Sequence, residues 1–217
     1  MFINLHTHTP EADEESMAII QKEASFPSDK AGAKLLHSKG IHPWHITPDW
    51  KNKIQMVAPA PGLLAIGECG LDRHKGADLD TQKEVFEAHI ALSEQLKLPL
   101  IIHCVKAYSD IIKMRKDLRP EQDWIFHAYN AGRQTTEQAL KHGFYFSMGK
   151  AILNHSSKAV QSLNHIPTHR LFLETDDEPT LKITAIYEKA AYILNLESVK
   201  LQHIIQDNFK QVFNVNV

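Results

Sequence analysis

The chain has 217 residues, 43% hydrophobic and 23% charged, a composition that excludes a disordered or collagen-like protein. Its net charge of −2 shows no basic surplus for broad binding to duplex phosphates. The longest apolar runs, such as residues 98–102, are far shorter than a membrane span of about 20 residues, and the acidic start lacks an export signal, so we expect a cytoplasmic protein.

Short apolar runs alternate with amphipathic runs along the whole chain, with no internal repeat and no break in composition. This alternation predicts a single α/β domain spanning residues 1–217. The predicted strands are residues 2–8, 16–23, 35–42, 63–70, 98–104, 124–129, 144–148 and 171–176. The predicted helices are residues 80–96, 109–118, 136–142, 181–196 and 199–212, the first with Asp80 as its N-cap.

Alternating strands and helices form either an open doubly wound sheet or a closed (β/α)8 TIM barrel. No glycine-rich fingerprint follows any strand, and eight strands favour the barrel. Residues 10–35 are too few for two full crossover helices as well as a strand. We therefore expect a barrel that is trimmed in its first third.

The first predicted strand ends in His6-Thr7-His8. Residues i and i+2 of a strand point to the same face, so the two imidazoles converge at the carboxyl end of the strand. Active sites of barrels lie at this end of the strands. By itself the pattern also fits two polar residues that merely end a strand.

Four later apolar runs also end in a potential metal ligand, and these residues are Glu68, His103, His127 and Asp176. An apolar strand gains nothing from a desolvated carboxylate or imidazole unless that group is paired or coordinated. With the two histidines of the first strand, the set offers four imidazoles and two carboxylates. Such mixed ligands are enough for two divalent cations and suit zinc, manganese or iron better than calcium.

The ordered motifs of the chain resemble those of TatD-type metal-dependent hydrolases, within the amidohydrolase-like barrels. The resemblance covers nearly the whole chain. Its motifs are HTH at 6–8, GIHPW at 40–44, IGECGLD at 66–72, LPLIIHC at 98–104, FHAYNAG at 126–132, YFSMG at 145–149, LFLETDDEP at 171–179 and NFKQVFN at 208–214.

The resemblance implies a (β/α)8 barrel with a metal centre of one or two divalent ions, their identity open among Zn, Mn, Mg and Fe. Carried over position by position, one ion would be held by His6, His8 and Asp176. The second would be held by His103 and His127, with Glu68 bridging the two. Family members are usually phosphodiesterases that act on DNA, often from the 3′ end.

The resemblance also implies a mechanism with metal-activated water, in which Asp176 and Glu68 are the catalytic residues. Asp176 would coordinate one ion and accept the proton of the water. His42 and Lys106 are the candidate substrate-binding residues. The chain departs from the family pattern at Val105, where relatives often have arginine, and in reading HAYNAG at 127–132 where many relatives read HCFSG.

Two other functions remain open on the same barrel. One is a hydrolase of another small substrate, such as an amide, a lactone or a phosphoester, and the other is a barrel that binds metal without catalysis. The expected partner is DNA or a small phosphoester bound locally at the metal site, with no membrane contact, and a monomer is the default. We interpret His89 as a core histidine, Cys69 and Cys104 as small buried residues, and His37 as a loop or surface residue.

Overall fold

The computed structural model describes residues 1–9, 16–24 and 36–215. In chain order these residues form β1 (Phe2–Thr7), β2 (Ser16–Glu23), β3 (His37–Gly40), α1 (Trp50–Gln55), β4 (Leu63–Asp72), α2 (Leu79–Leu96), β5 (Leu100–Val105), α3 (Tyr108–Leu118), β6 (Trp124–Phe126), α4 (Arg133–Lys141), β7 (Tyr145–Met148), α5 (Lys158–Leu163), β8 (Leu171–Leu173), α6 (Ile183–Leu194) and α7 (Ser198–Phe213). No helix among them is long and apolar enough to span a bilayer.

The chain divides into two compact units. The first unit contains residues 1–18 and 125–217, and the second contains residues 19–124. In the first unit β6, β7 and β8 pair in parallel in this order, and β8 continues into a parallel bridge between Thr7 and Asp176. In the second unit β2, β3, β4 and β5 pair in parallel in this order. The expectation of one domain over residues 1–217 stays a prediction.

The core of the first unit is aromatic. The rings of Phe126 and Phe144 stack with centroids 4.5 Å apart and an interplanar angle of 4°. Tyr187 of α6 fixes β1 at Ile3, because its hydroxyl donates to the Ile3 carbonyl at 3.0 Å and accepts from the Ile3 N–H at 3.1 Å. This double hydrogen bond sets the depth of the strand that carries His6.

The core of the second unit lies between α2 and the strands β4 and β5. Every residue of β4 is buried, as expected for a strand covered on both faces. Helix α2 buries Val85, Phe86 and Ile90. The exposed Asp80 is not its N-cap, as was predicted; Asp78 is, because its carboxylate accepts the backbone N–H of Thr81 at 3.0 Å.

All eight predicted strands are confirmed, with ends that shift by up to three residues. The five predicted helices are also confirmed, whereas α1 and α5 were missed because each spans only six residues and shows little periodicity. The reason given for a trimmed barrel rests on residues 10–35, of which 10–15 and 25–35 lie outside the described residues. The interpretation of His37 was wrong, because it lies buried in β3.

Candidate metal centre

The ends of β1 and β8 bring three of the predicted ligands together. The N–H of Asp176 donates to the carbonyl of His6 at 3.0 Å, and the N–H of His8 donates to the carbonyl of Asp176 at 3.1 Å. This parallel bridge places Oδ1 of Asp176 3.6 Å from Nε2 of both histidines. His6 is fully buried, His8 is exposed, and Asp176 lies between these extremes.

His127 follows β6 and joins the same group. Its ring centroid lies 4.5 Å from that of His6, and ligand atoms of His6, His127 and Asp176 all lie within 4.8 Å of one another. Asp176 has a φ of +57° and Ala128, next to His127, a φ of +43°. Left-handed backbone at non-glycine residues costs free energy and concentrates at functional sites.

Glu174 supports this group and was not predicted. It is completely buried, and its Oε1 accepts hydrogen bonds from His127 Nδ1 at 3.3 Å and from the N–H of Ala128 at 2.6 Å. Burial by itself raises the pKa of Glu174, but the hydrogen bond and positive charge of His127 outweigh it, so the pKa is lowered. A carboxylate on Nδ1 fixes the ring so that Nε2 is the nitrogen available to a cation. The signal was in the sequence, because Glu174 lies two residues before Asp176.

A second group contains Glu68 of β4, His103 of β5 and His42. Oε1 of Glu68 lies 2.7 Å from Nδ1 of His103 and 3.0 Å from Nε2 of His42, and these two nitrogens are 3.2 Å apart. All three residues are buried. Gln21 of β2 helps to position this carboxylate, because its Oε1 accepts the backbone N–H of Glu68 at 2.5 Å.

Asp72 completes this second group and was also missed. Its Oδ2 accepts hydrogen bonds from Nε1 of Trp44 at 2.6 Å and from Nε2 of His103 at 3.2 Å. Burial raises its pKa, but hydrogen bonds from Trp44, from the backbone of His74 and from His103 prevail and lower it. Asp72 is four residues after Glu68 in the same strand. Because side chains alternate between the two faces of a strand, this even spacing could have indicated that both carboxylates face the same side.

The other predicted residues fall outside the two groups. Lys106 is exposed just past β5, with a φ of +56°. The prediction for His89 is confirmed, because it is a fully buried histidine of α2 with hydrogen bonds to the backbone at both ring nitrogens. Cys69 is buried as expected, whereas Cys104 is only partly buried.

Comparisons with known proteins identify the family of the chain. The family model described as TatD related DNase matches residues 27–214. An uncharacterized metal-dependent hydrolase of Buchnera aphidicola is 26% identical over 83% of this chain and 78% of its own length. A 3′-5′ ssDNA/RNA exonuclease TatD of Erwinia tasmaniensis is 30% identical over 63% of this chain and 56% of its own length. The chain thus spans little more than half of that exonuclease.

Two solved structures show the fold. The TatD homologue YJJV of Escherichia coli superposes with a TM-score of 0.82 at 18% identity, over 99% of this chain and 98% of its own. A TatD family hydrolase of Entamoeba histolytica gives 0.76 at 16% identity, over 98% and 97% of the two chains. Parallel strands in chain order, alternating with helices, agree with this likeness, so the prediction of a (β/α)8 barrel is confirmed. The chain therefore belongs to the TatD related DNase family and is a metal-dependent hydrolase of the TatD type.

Proposed function

We propose that the protein is a divalent-metal-dependent phosphodiesterase of the nuclease type. The observation that carries the proposal is the convergence of His6, His127 and Asp176, whose ligand atoms lie within 4.8 Å of one another. Two of these side chains are buried, where imidazole is costly without a partner or a cation. The exonuclease named TatD in Erwinia tasmaniensis supports the nuclease class.

The donor atoms fit a divalent cation in both groups. Imidazole nitrogens and carboxylate oxygens are the ligands of zinc, manganese and iron sites, and carboxylates also suit magnesium. In the first unit we assign His6, His8, His127 and Asp176 as ligands. In the second unit we assign His103 and Glu68 as ligands. Nε2 of His42 lies 3.0 Å from Oε1 of Glu68 and 3.2 Å from Nδ1 of His103. The bridging role of Glu68 stays a prediction, as do the number of ions and their identity.

A divalent ion held by these residues would lower the pKa of a bound water towards neutrality, which would make hydroxide available at neutral pH. Asp176 is our candidate for the group that accepts the proton of the attacking water, because its carboxylate is one fifth exposed and lies beside two imidazoles. Glu174 keeps His127 in one orientation by holding Nδ1. Lys106, which is exposed three residues after His103, stays our candidate for binding a phosphate of the substrate.

The test is hydrolysis of a 5′-labelled single-stranded oligodeoxynucleotide by protein that has been stripped with EDTA and reloaded with Mn²⁺, Zn²⁺ or Mg²⁺. We expect shortened products only with added metal. The Asp176→Asn variant should be inactive, and Asp177→Asn, which changes an exposed neighbouring carboxylate, should keep full activity.

Three outcomes distinguish the functions. Metal-dependent cleavage of the oligonucleotide supports the proposal. Turnover of bis-p-nitrophenyl phosphate without any cleavage of the oligonucleotide contradicts it and favours a small phosphoester substrate. No turnover of either compound with any of the three metals contradicts it and favours a hydrolase of another bond, such as an amide or a lactone, or a barrel that only binds metal. The expected monomer and cytoplasmic location stay predictions.

A further inference from the structure

Trp44 is a large aromatic residue that is 40% exposed beside the second group of candidate ligands. Its ring centroid lies 4.7 Å from that of His42 and 5.6 Å from that of His103, with interplanar angles of 79° and 76°. Both imidazoles therefore meet the indole ring at a steep angle and do not stack on it. The exposed part of the indole is therefore an aromatic surface that solvent or a ligand can reach.

The indole is held rigidly although it is exposed. Its Nε1 donates to the buried carboxylate of Asp72 at 2.6 Å, and its backbone N–H donates to Nδ1 of His42 at 3.1 Å. The turn that carries it packs against Gly76, where an added Cβ would lie only 2.3 Å from the carbonyl oxygen of Pro43. A flat aromatic surface that is already fixed loses little conformational entropy when a ligand binds.

Positive charge lies beside this ring. Nζ of Lys75 is 3.6 Å from the centroid of the Trp44 ring, so the ring attracts cations. The loop that carries Lys75 lines a depression of about 250 Å³ between Asp72 and Leu79. An exposed cation–π contact contributes about 0.5–1 kcal/mol and stacking of a base on an aromatic ring about 1–3 kcal/mol, so a base that reached this ring would displace the ammonium group. The ammonium group would then remain close enough to the base to meet a phosphate of the same strand.

We propose that Trp44 is a stacking platform for one nucleobase of a single-stranded nucleic acid and that Lys75 binds the adjacent phosphate. A single strand is required because the bases of a duplex are already stacked on one another. The inference rests on the proposed function and adds to it a subsite that binds one nucleotide of the substrate. Stacking tolerates every base, so the platform predicts binding without sequence preference.

The test compares Trp44→Phe with Trp44→Leu. Both variants lose the N–H that Asp72 accepts, so they disturb the Asp72–His103 contact equally, but only phenylalanine keeps an aromatic face. The probes are fluorescent (dT)8 and an abasic oligomer of the same length, and affinity is measured by anisotropy with metal-free protein in EDTA. We expect Trp44→Leu to bind (dT)8 about 5- to 150-fold more weakly than Trp44→Phe does. The abasic oligomer should not distinguish the two variants.

The second arm is Lys75→Gln, which should weaken binding of both oligomers by the same factor. Equal affinity of the two Trp44 variants for (dT)8 overturns the platform, as does a wild-type protein that does not prefer (dT)8 to the abasic oligomer. If metal-loaded wild type cleaves DNA but the two Trp44 variants bind (dT)8 equally, the proposed function holds and the stacking platform does not. If Trp44→Leu binds (dT)8 more weakly than Trp44→Phe but metal-loaded wild type does not cleave DNA, the stacking platform holds and the proposed hydrolysis does not.

Discussion

Buried His89 makes the stability of the protein depend on pH. Its Nδ1 donates to the carbonyl of Val85 at 2.7 Å, and its Nε2 accepts the N–H of Ile41 at 2.9 Å. The Ile41 contact needs the neutral ring, because Nε2 must keep its lone pair, whereas Nδ1 donates to Val85 in the neutral and in the protonated ring. Burial lowers the pKa of His89 from 6.5 to about 4, and the hydrogen bond to Val85 opposes this only in part.

The magnitude follows from proton linkage. Above pH 6.5 the histidine is neutral in the folded and in the unfolded chain. Between pH 6.5 and about 4 only the unfolded chain binds the proton, so acid favours unfolding by up to about 1.4 kcal/mol per pH unit. Across this window the loss is about 3 kcal/mol, a large part of the ~5–15 kcal/mol that stabilises a typical domain.

The perturbation is His89→Leu, which removes this proton site and leaves the N–H of Ile41 buried without its acceptor. We expect the variant to be less stable at pH 7.5 by about 1–3 kcal/mol. Its deficit should shrink by up to about 3 kcal/mol as the pH falls to 4. The assay is urea unfolding of metal-free protein, followed by circular dichroism at half-unit pH steps.

His203→Gln is the matched control, because it removes an exposed histidine of α7 and should follow the wild type at every pH. The reasoning would be refuted if the curves of His89→Leu and wild type stayed parallel from pH 7.5 to 4. Equal stability of the two proteins at pH 7.5 would refute the structural role of the Ile41 contact.

Three further predictions concern the site and its scaffold. Asp176→Asn should lower turnover at least about 100-fold without lowering the melting temperature, because asparagine tolerates the φ of +57°; wild-type turnover contradicts its assigned role. Glu174→Gln should weaken metal binding about 10- to 100-fold by calorimetry, because Gln lacks the charge that holds His127, and unchanged affinity would argue against this. Gly76→Ala should destabilise the fold by more than about 1 kcal/mol in thermal unfolding, because its φ is +97° and an added Cβ would lie 2.3 Å from the carbonyl oxygen of Pro43; Gly132→Ala, whose added Cβ meets nothing within 4 Å, should cost less, and equal effects would contradict this reasoning.

The positions of strands such as β4, β5 and β8 could be predicted from the sequence because each lies in a short apolar run that leads into polar residues. The run at 98–104 illustrates this, since β5 occupies Leu100–Val105 and His103 lies near its end. The amphipathic helices were equally clear, as α2 and α7 show. Short helices such as α1 were not, because a helix of six residues buries too little surface to impose a pattern.

The partners of the ligands could not be predicted in the same way. Glu174 and Asp72 are carboxylates within the same motifs as Asp176 and Glu68, and nothing local separates a ligand from a residue that orients one. The role of Trp44 depends on the loop that carries Lys75, about 30 residues further along the chain. Contacts over such separations are set by packing of the strands and not by local preference.

The sequence by itself determined the fold class and the chemistry of the ligands, because strand period and side-chain type are local properties. Only the tertiary structure decided which side chains meet. It placed His127 beside His6, gave His103 two carboxylate neighbours and left the indole of Trp44 exposed. These contacts depend on where distant strands end relative to one another, and that is fixed only when the core is packed.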